Sequence, residues 1–191
     1  MKKSDKREEI LQAALELISE KGFHGAPMAE IAEKAGVAAG TIYRYFESKD
    51  VLITDLHQHL EDRITVVLQE GFPRRAELRE RFLFMVRTIL LYFMAHPLHF
   101  RYMEQYFNSP YGVSLHRERL SGTSGRRDLL VDLMTEGLSR GVLKDLPVIM
   151  LFSLAFGPMI FLMRDHILGF IILDEALIRK ATEACWDAVK R

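Results

Sequence analysis

Gly36 separates two helical stripes, each about two turns long. Met28, Ile31, Ala32 and Ala35 share one face of the first. Pro27 can open that helix, because a proline in the first turn lacks only an N–H that has no partner there anyway. Gly36 stops it, Val37 and Ala38 form a tight link, and another helix begins near Ala39. On this second helix Ile42 and Phe46 lie four apart on one face. The opposite face carries Gly40, Thr41, Tyr43 and Arg44, an aromatic and an arginine aimed at solvent. Two short helices and a glycine turn within about twenty residues have the spacing of a helix-turn-helix, whose second helix can enter the DNA major groove.

The rest of the chain keeps the helical period, and period-two alternation bounded by turn residues is absent. Ile10, Ala14, Leu17 and Ile18 form a stripe on a helix over about 5–21, with Gly22 as its stop and Phe23 next. Ser48 is a good N-cap for a fourth helix over about 49–70, some 30 Å long. Leu52, Leu56, Leu60, Ile64 and Val67 line one face of it. Five more helices are expected, over about 74–95, 98–107, 126–140, 147–168 and from Asp174 onward. The segment 108–125 holds Pro110, three glycines and several serines, which predicts a loop. Pro158 should kink the helix that contains it. Leu177, Ala181, Ala184 and Ala188 form a stripe on the last helix. The fold expected is all-α, about nine helices. Residues 1–48 are a helix-turn-helix domain and residues 49–191 a larger helical domain, with 49–70 as the connecting helix.

Composition restricts the function. One cysteine, Cys185, excludes a disulfide framework within the chain. The charged N-terminus shows no secretory signal, which implies a cytoplasmic location. The apolar run 148–163 has 16 residues, short of the roughly 20 a spanning helix requires. It reads as a buried or subunit-interface helix, and no membrane partner is expected. Formal net charge is zero, and the first fifty residues hold eight Lys/Arg against nine Asp/Glu. Nucleic-acid binding therefore depends on where charge is placed, not on its total. Sequence-independent DNA binding, which is almost wholly electrostatic, is disfavoured.

Several words of this sequence, ILQAALELISEKGF and MAEIAEKAGVAAGTIYRYFESKDVL, carry a resemblance. The segment from Arg7 to Leu56 resembles the DNA-binding domain of the TetR family of bacterial transcriptional regulators. The resemblance implies an all-helical homodimer that pairs through its last two helices, a ligand pocket in the larger domain, and a repressor released from operator DNA by a small molecule. Two positions depart from the family pattern. Ala26-Pro27 and Ala38 stand where a hydroxyl often caps a helix and touches phosphate. An alanine cap forfeits on the order of 1 kcal/mol relative to serine.

The expected DNA contacts are Ala39, Gly40, Thr41, Tyr43, Arg44, Tyr45 and Lys49. Arg44 suits bidentate guanine reading, and Thr41 and Tyr43 suit a phosphate or a thymine methyl. Gly40 admits close backbone approach, Ala39 offers an apolar contact, and Tyr45 divides its ring between groove and packing. Lys49 should hold a phosphate. Lys2, Lys3, Lys6 and Arg7 form either an arm over the backbone or a solvated tail. A pocket for a small apolar or aromatic effector is expected among Tyr92, His96, Phe100, Met103, Tyr106, Phe107, Phe156, Met159, Met163 and His166, about half of which should be plain core. No cofactor, metal site or catalytic group is expected. His57 and His59 do not share a face, and nothing completes a zinc site around His96 and His99. The competing reading is a helical ligand carrier or enzyme without operator-specific binding.

Overall fold

A computed structural model describes residues 3–121 and 129–191, with side chains over 6–117 and 129–191. In chain order the helices are α1 (Lys3–Lys21), α2 (Met28–Lys34), α3 (Ala39–Ile42), α4 (Lys49–Gln69), α5 (Leu78–Ala95), α6 (Pro97–Phe107), α7 (Pro110–Ser121), α8 (Leu129–Ser139), α9 (Val148–Ile167) and α10 (Glu175–Val189). Among the described residues the sole β feature is an isolated bridge between Leu143 and Lys190. The chain divides into two compact units: Met1–Arg63 with His96–Ser124, and Ile64–Ala95 with Gly125–Arg191. The expected boundary at residue 48 does not coincide with this division. Helices α6 and α7 join the helix-turn-helix in one unit, and α4 contributes residues to both.

In the first unit, α1 packs on α2 and α6, α2 on α3, and α6 on α7. Ile10, Leu11, Ile18, Ile31, Ile42, Phe46, Leu52, Ile53 and Leu56 are buried together in its core. Val37, in the link between α2 and α3, is half-buried. In the second unit α5, α9 and α10 pack mutually, and α8 joins α5 and α9. Phe82 and Trp186 meet there with ring centroids 5.3 Å apart. Arg81 and Arg140 both grip the Glu136 carboxylate, which holds it well below the usual range, at about 2.

Helix α7, beyond the nine expected, occupies most of the segment expected to be a loop. Its first residue is Pro110, which fits an opening turn, and the Val113 amide donates to the Ser109 carbonyl. Gly112 is not a breaker here. A Cβ on it would lie 2.5 Å from the Tyr106 carbonyl oxygen and 2.6 Å from Phe107 Cα, so the glycine permits α7 to pack tightly against the end of α6. Gly122 and Gly125, which also prompted the loop expectation, lie outside the described residues, as does the expected helix start at 126. Helix α5 begins at Leu78, not at 74, because the preceding residues close tight turns after Pro73.

Helix α9 is long and apolar enough to cross a membrane by length and composition. It packs in the bundle of the second unit through Leu151, Ala155, Phe156, Met159 and Met163. Pro158 sits on its exposed side, and the helix runs through it to Ile167. Leu154 and Phe161 remain exposed, Phe161 at 64%. On α10 the core face is Ile178, Thr182, Cys185, Trp186 and Val189. The Leu177, Ala181, Ala184 and Ala188 stripe is thus a second face, exposed or half-buried.

Candidate nucleic-acid interface

The candidate reading face rests on two buried anchors. Ile42 and Phe46 are both fully buried, which fixes the opposite side of the segment outward. Gly36 holds a φ of +63°, a left-handed conformation in which only glycine escapes a Cβ penalty, and so turns the chain from α2 into the link. Ala38 caps α3 through its backbone alone: the Thr41 amide donates to its carbonyl at 2.7 Å, and no side chain helps. Helix α3 is shorter than its sequence suggests. After Ile42 the chain tightens, with the Arg44 amide donating to Thr41 O and the Tyr45 amide to Ile42 O, both at 3.0 Å. In such three-residue turns the side chains at i and i+3 eclipse one another.

Ala39, Gly40, Tyr43 and Arg44 are exposed, Tyr43 at 55%. Thr41 and Tyr45 are half-buried. A Cβ built on Gly40 meets no atom within 4 Å, so nothing in the protein's own packing requires a glycine there.

The cations of this region are mostly engaged internally. Lys6 pairs with Glu9 at 2.6 Å, Lys34 with Glu16 at 2.9 Å, and Lys21 with Glu30. Arg7 does not belong to a free arm: its guanidinium pairs with Asp55 at 2.9 Å and lies 5.4 Å from the Phe46 ring centroid. Lys2 lies outside the described residues, and the Lys3 side chain does too. Lys49, expected on a phosphate, donates to the Phe23 carbonyl, and burial lowers its pKa. An ammonium has three donors, so one bond leaves capacity for a phosphate. Arg44 is the one described Lys or Arg between residues 6 and 50 without an ion pair or hydrogen bond.

The ten residues expected to line an effector pocket are divided between the units. His96, Phe100, Met103, Tyr106 and Phe107 belong to the first; Tyr92, Phe156, Met159, Met163 and His166 belong to the second. Seven are buried, whereas His96 and Phe107 are exposed. His166 is half-buried, its Nδ1 3.2 Å from the Ile171 carbonyl oxygen and 3.3 Å from the Leu173 amide, where it braces the loop before α10. Tyr106 stacks on His57 of α4 with ring centroids 3.8 Å apart. An open cleft of about 470 Å³ in the first unit is lined by α1 together with Lys34, His59, Arg63 and His99, and includes none of the ten. Burial, helped by His96, Arg63 and His59, holds the His99 pKa down at about 4. Among the described residues no group of three or more His, Cys, Asp or Glu could hold a metal ion. Burial pushes the Cys185 thiol up to about 11.

Sequence reasoning missed Tyr102, Tyr111 and Asp50. The Tyr102 hydroxyl donates to Ile53 O at 2.6 Å, and the Tyr111 hydroxyl donates to the Asp50 carboxylate. Tyr111 was hidden in the segment read as a loop.

Comparison with known proteins decides the family. Residues 10–56 match the family model for bacterial regulatory proteins of the tetR family, and residues 77–190 match the tetracyclin repressor-like C-terminal domain. The chain belongs to the TetR family. A solved TetR family protein from Vibrio parahaemolyticus, a putative transcriptional regulator, is 34% identical, with 97% of this chain and 99% of that one covered and a TM-score of 0.77. The fatty acid metabolism regulator protein of Bacillus subtilis is 27% identical over 143 residues, 75% of this chain and 73% of that one. Across 57 residues this TetR protein is 53% identical to YvdT, an uncharacterized HTH-type transcriptional regulator of Bacillus subtilis; that match covers 30% of this chain and 29% of its relative. The chain is a DNA-binding transcriptional regulator with a helix-turn-helix domain and a helical ligand-binding domain.

Proposed function

We propose that this TetR family regulator is a homodimeric cytoplasmic repressor, that residues 1–48 read DNA, and that residues 49–191 sense an effector and dimerise. The observation that carries the reading is the exposed face of Ala39, Gly40, Tyr43 and Arg44 above the buried anchors Ile42 and Phe46. Arg44 reads guanine; Thr41, Tyr43, Tyr45 and Lys49 hold the backbone and set register. Pairing through α9 and α10 accounts for the apolar residues those helices leave exposed, Leu154, Phe161 and Leu177 among them. Two copies then present two reading faces to half-sites about 34–36 Å apart.

The effector is a small, largely apolar molecule, and a fatty-acyl compound is the first class to try. The relative named for fatty acid metabolism and the aromatic and methionine residues of the expected pocket support this. An effector that binds the conformer with wrongly spaced reading faces shifts the population off the operator. Tyr43→Ala and Arg44→Ala, measured by fluorescence anisotropy on a selected operator, should each weaken binding while sedimentation still reports a dimer. Unchanged binding by both variants would refute the assignment of this face.

A further inference from the structure

Three helices of the first unit, α4, α6 and α7, converge on Phe23. Its ring meets Tyr102 of α6 edge-on at 6.1 Å and Tyr111 of α7 at 5.6 Å. Its carbonyl accepts from Lys49, the first residue of α4. The next residue, Asp50, accepts from the Tyr111 hydroxyl. Phe23 itself lies in the turn that leads into α2, and Ser48 and Lys49 follow directly on the reading segment. Tyr111 thus holds both approaches to the helix-turn-helix, by its ring on one side and its hydroxyl on the other. Tyr111 is half-buried, and burial with Asp50 beside it pushes its pKa up to about 12; a phenol is in any case protonated and able to donate at neutral pH.

We propose that Tyr111 is the positioning residue through which α7 sets the pose of the reading face, and hence operator affinity. It does not touch DNA. It holds the first turn of α4 against the α1–α2 turn, so displacement of α7 is delivered to the segment that carries Tyr43 and Arg44. The inference rests on the DNA-reading assignment above.

The test compares wild type with Tyr111→Phe, Asp50→Ala and the double variant, in the full-length protein. Tyr111→Phe keeps the ring and removes one bond, so folding and dimerisation should persist. Expected is a loss of operator affinity of about tenfold in each single variant, with the double variant no worse than the weaker single one, because both remove the same bond. Asp50→Asn, which keeps an acceptor oxygen, should restore most of the affinity. In the free protein, amide hydrogen exchange at residues 49–53 should quicken in Tyr111→Phe while the core of α5 is unchanged. Wild-type affinity in Tyr111→Phe, or additive losses in the double variant, would overturn the proposal and leave the DNA reading intact. Failure of the wild-type protein to bind any selected DNA would overturn the reading on which it rests.

Discussion

Raising salt from 50 to 200 mM should weaken operator binding by only about 12-fold. Each phosphate neutralised by a cation adds roughly −0.9 to the slope of log K against log salt. Per subunit, Arg44 is assigned to a base and Lys49 is held by a carbonyl alone, so one cation is available for a phosphate. Lys6, Arg7, Lys21 and Lys34 each sit on a carboxylate. Such exposed pairs are weak in themselves, about 0–1 kcal/mol, but breaking one to reach a phosphate leaves a carboxylate beside that phosphate. A dimer therefore neutralises about two phosphates, for a slope near −1.8. Had all six described cations per subunit engaged, the slope would be near −11 and the same salt step would cost more than a millionfold. The assay is anisotropy on the operator across a potassium chloride series. The protein should carry Lys2→Gln and Lys3→Gln, which removes the two lysines whose side chains are not described. A slope steeper than about −7 would refute the claim that the ion pairs persist on DNA.

Three further outcomes follow from single positions. Gly40→Ala should leave the fold intact or stabilise it by up to about 1 kcal/mol, since Ala is the better helix former and its Cβ enters open space. The same variant should lose about tenfold or more in operator affinity if the proposed reading face meets DNA there; unchanged affinity would contradict close approach. Below pH 6.5 the unfolded chain protonates His99 while the folded chain resists down to about 4. Stability should therefore fall as pH drops through this window, by at most about 1.4 kcal/mol per pH unit. Thermal melts of His99→Gln should show a shallower fall, and equal slopes would remove His99 as the cause. Phe46→Ala should cost about 3–5 kcal/mol in denaturant unfolding, as a fully buried aromatic does, and a loss below about 1 kcal/mol would deny its anchoring role.

The helix-turn-helix was legible because glycine and burial act locally there. Gly22 and Gly36 both take positive φ at the expected helix ends, and Ile42 and Phe46 bury as their spacing requires. Asp174 likewise caps α10, accepting from the Leu177 amide at 2.8 Å. Helix α7 was illegible because a glycine that permits close packing has the same letter as one that breaks a helix. Only the position of Tyr106 and Phe107 beside Gly112 distinguishes the two. Charge was only partly legible for a related reason. Arg7 pairs with Asp55 and Lys49 donates to the Phe23 carbonyl, partners 48 and 26 residues away that helical spacing does not reveal. The pocket residues were not separable from core at all, since burial and helical spacing are the same for both, and seven of the ten are buried.

Selection of binding sites from fragmented genomic DNA, run in parallel on wild type and Arg44→Ala, tests the central claim most directly. Wild type should enrich one palindromic motif whose half-sites are separated by whole turns of the duplex. The Arg44→Ala motif should keep that spacing and lose preference at one or two base pairs in each half-site. A motif with every position unchanged in Arg44→Ala, or no enriched motif from the wild-type protein, would contradict the account.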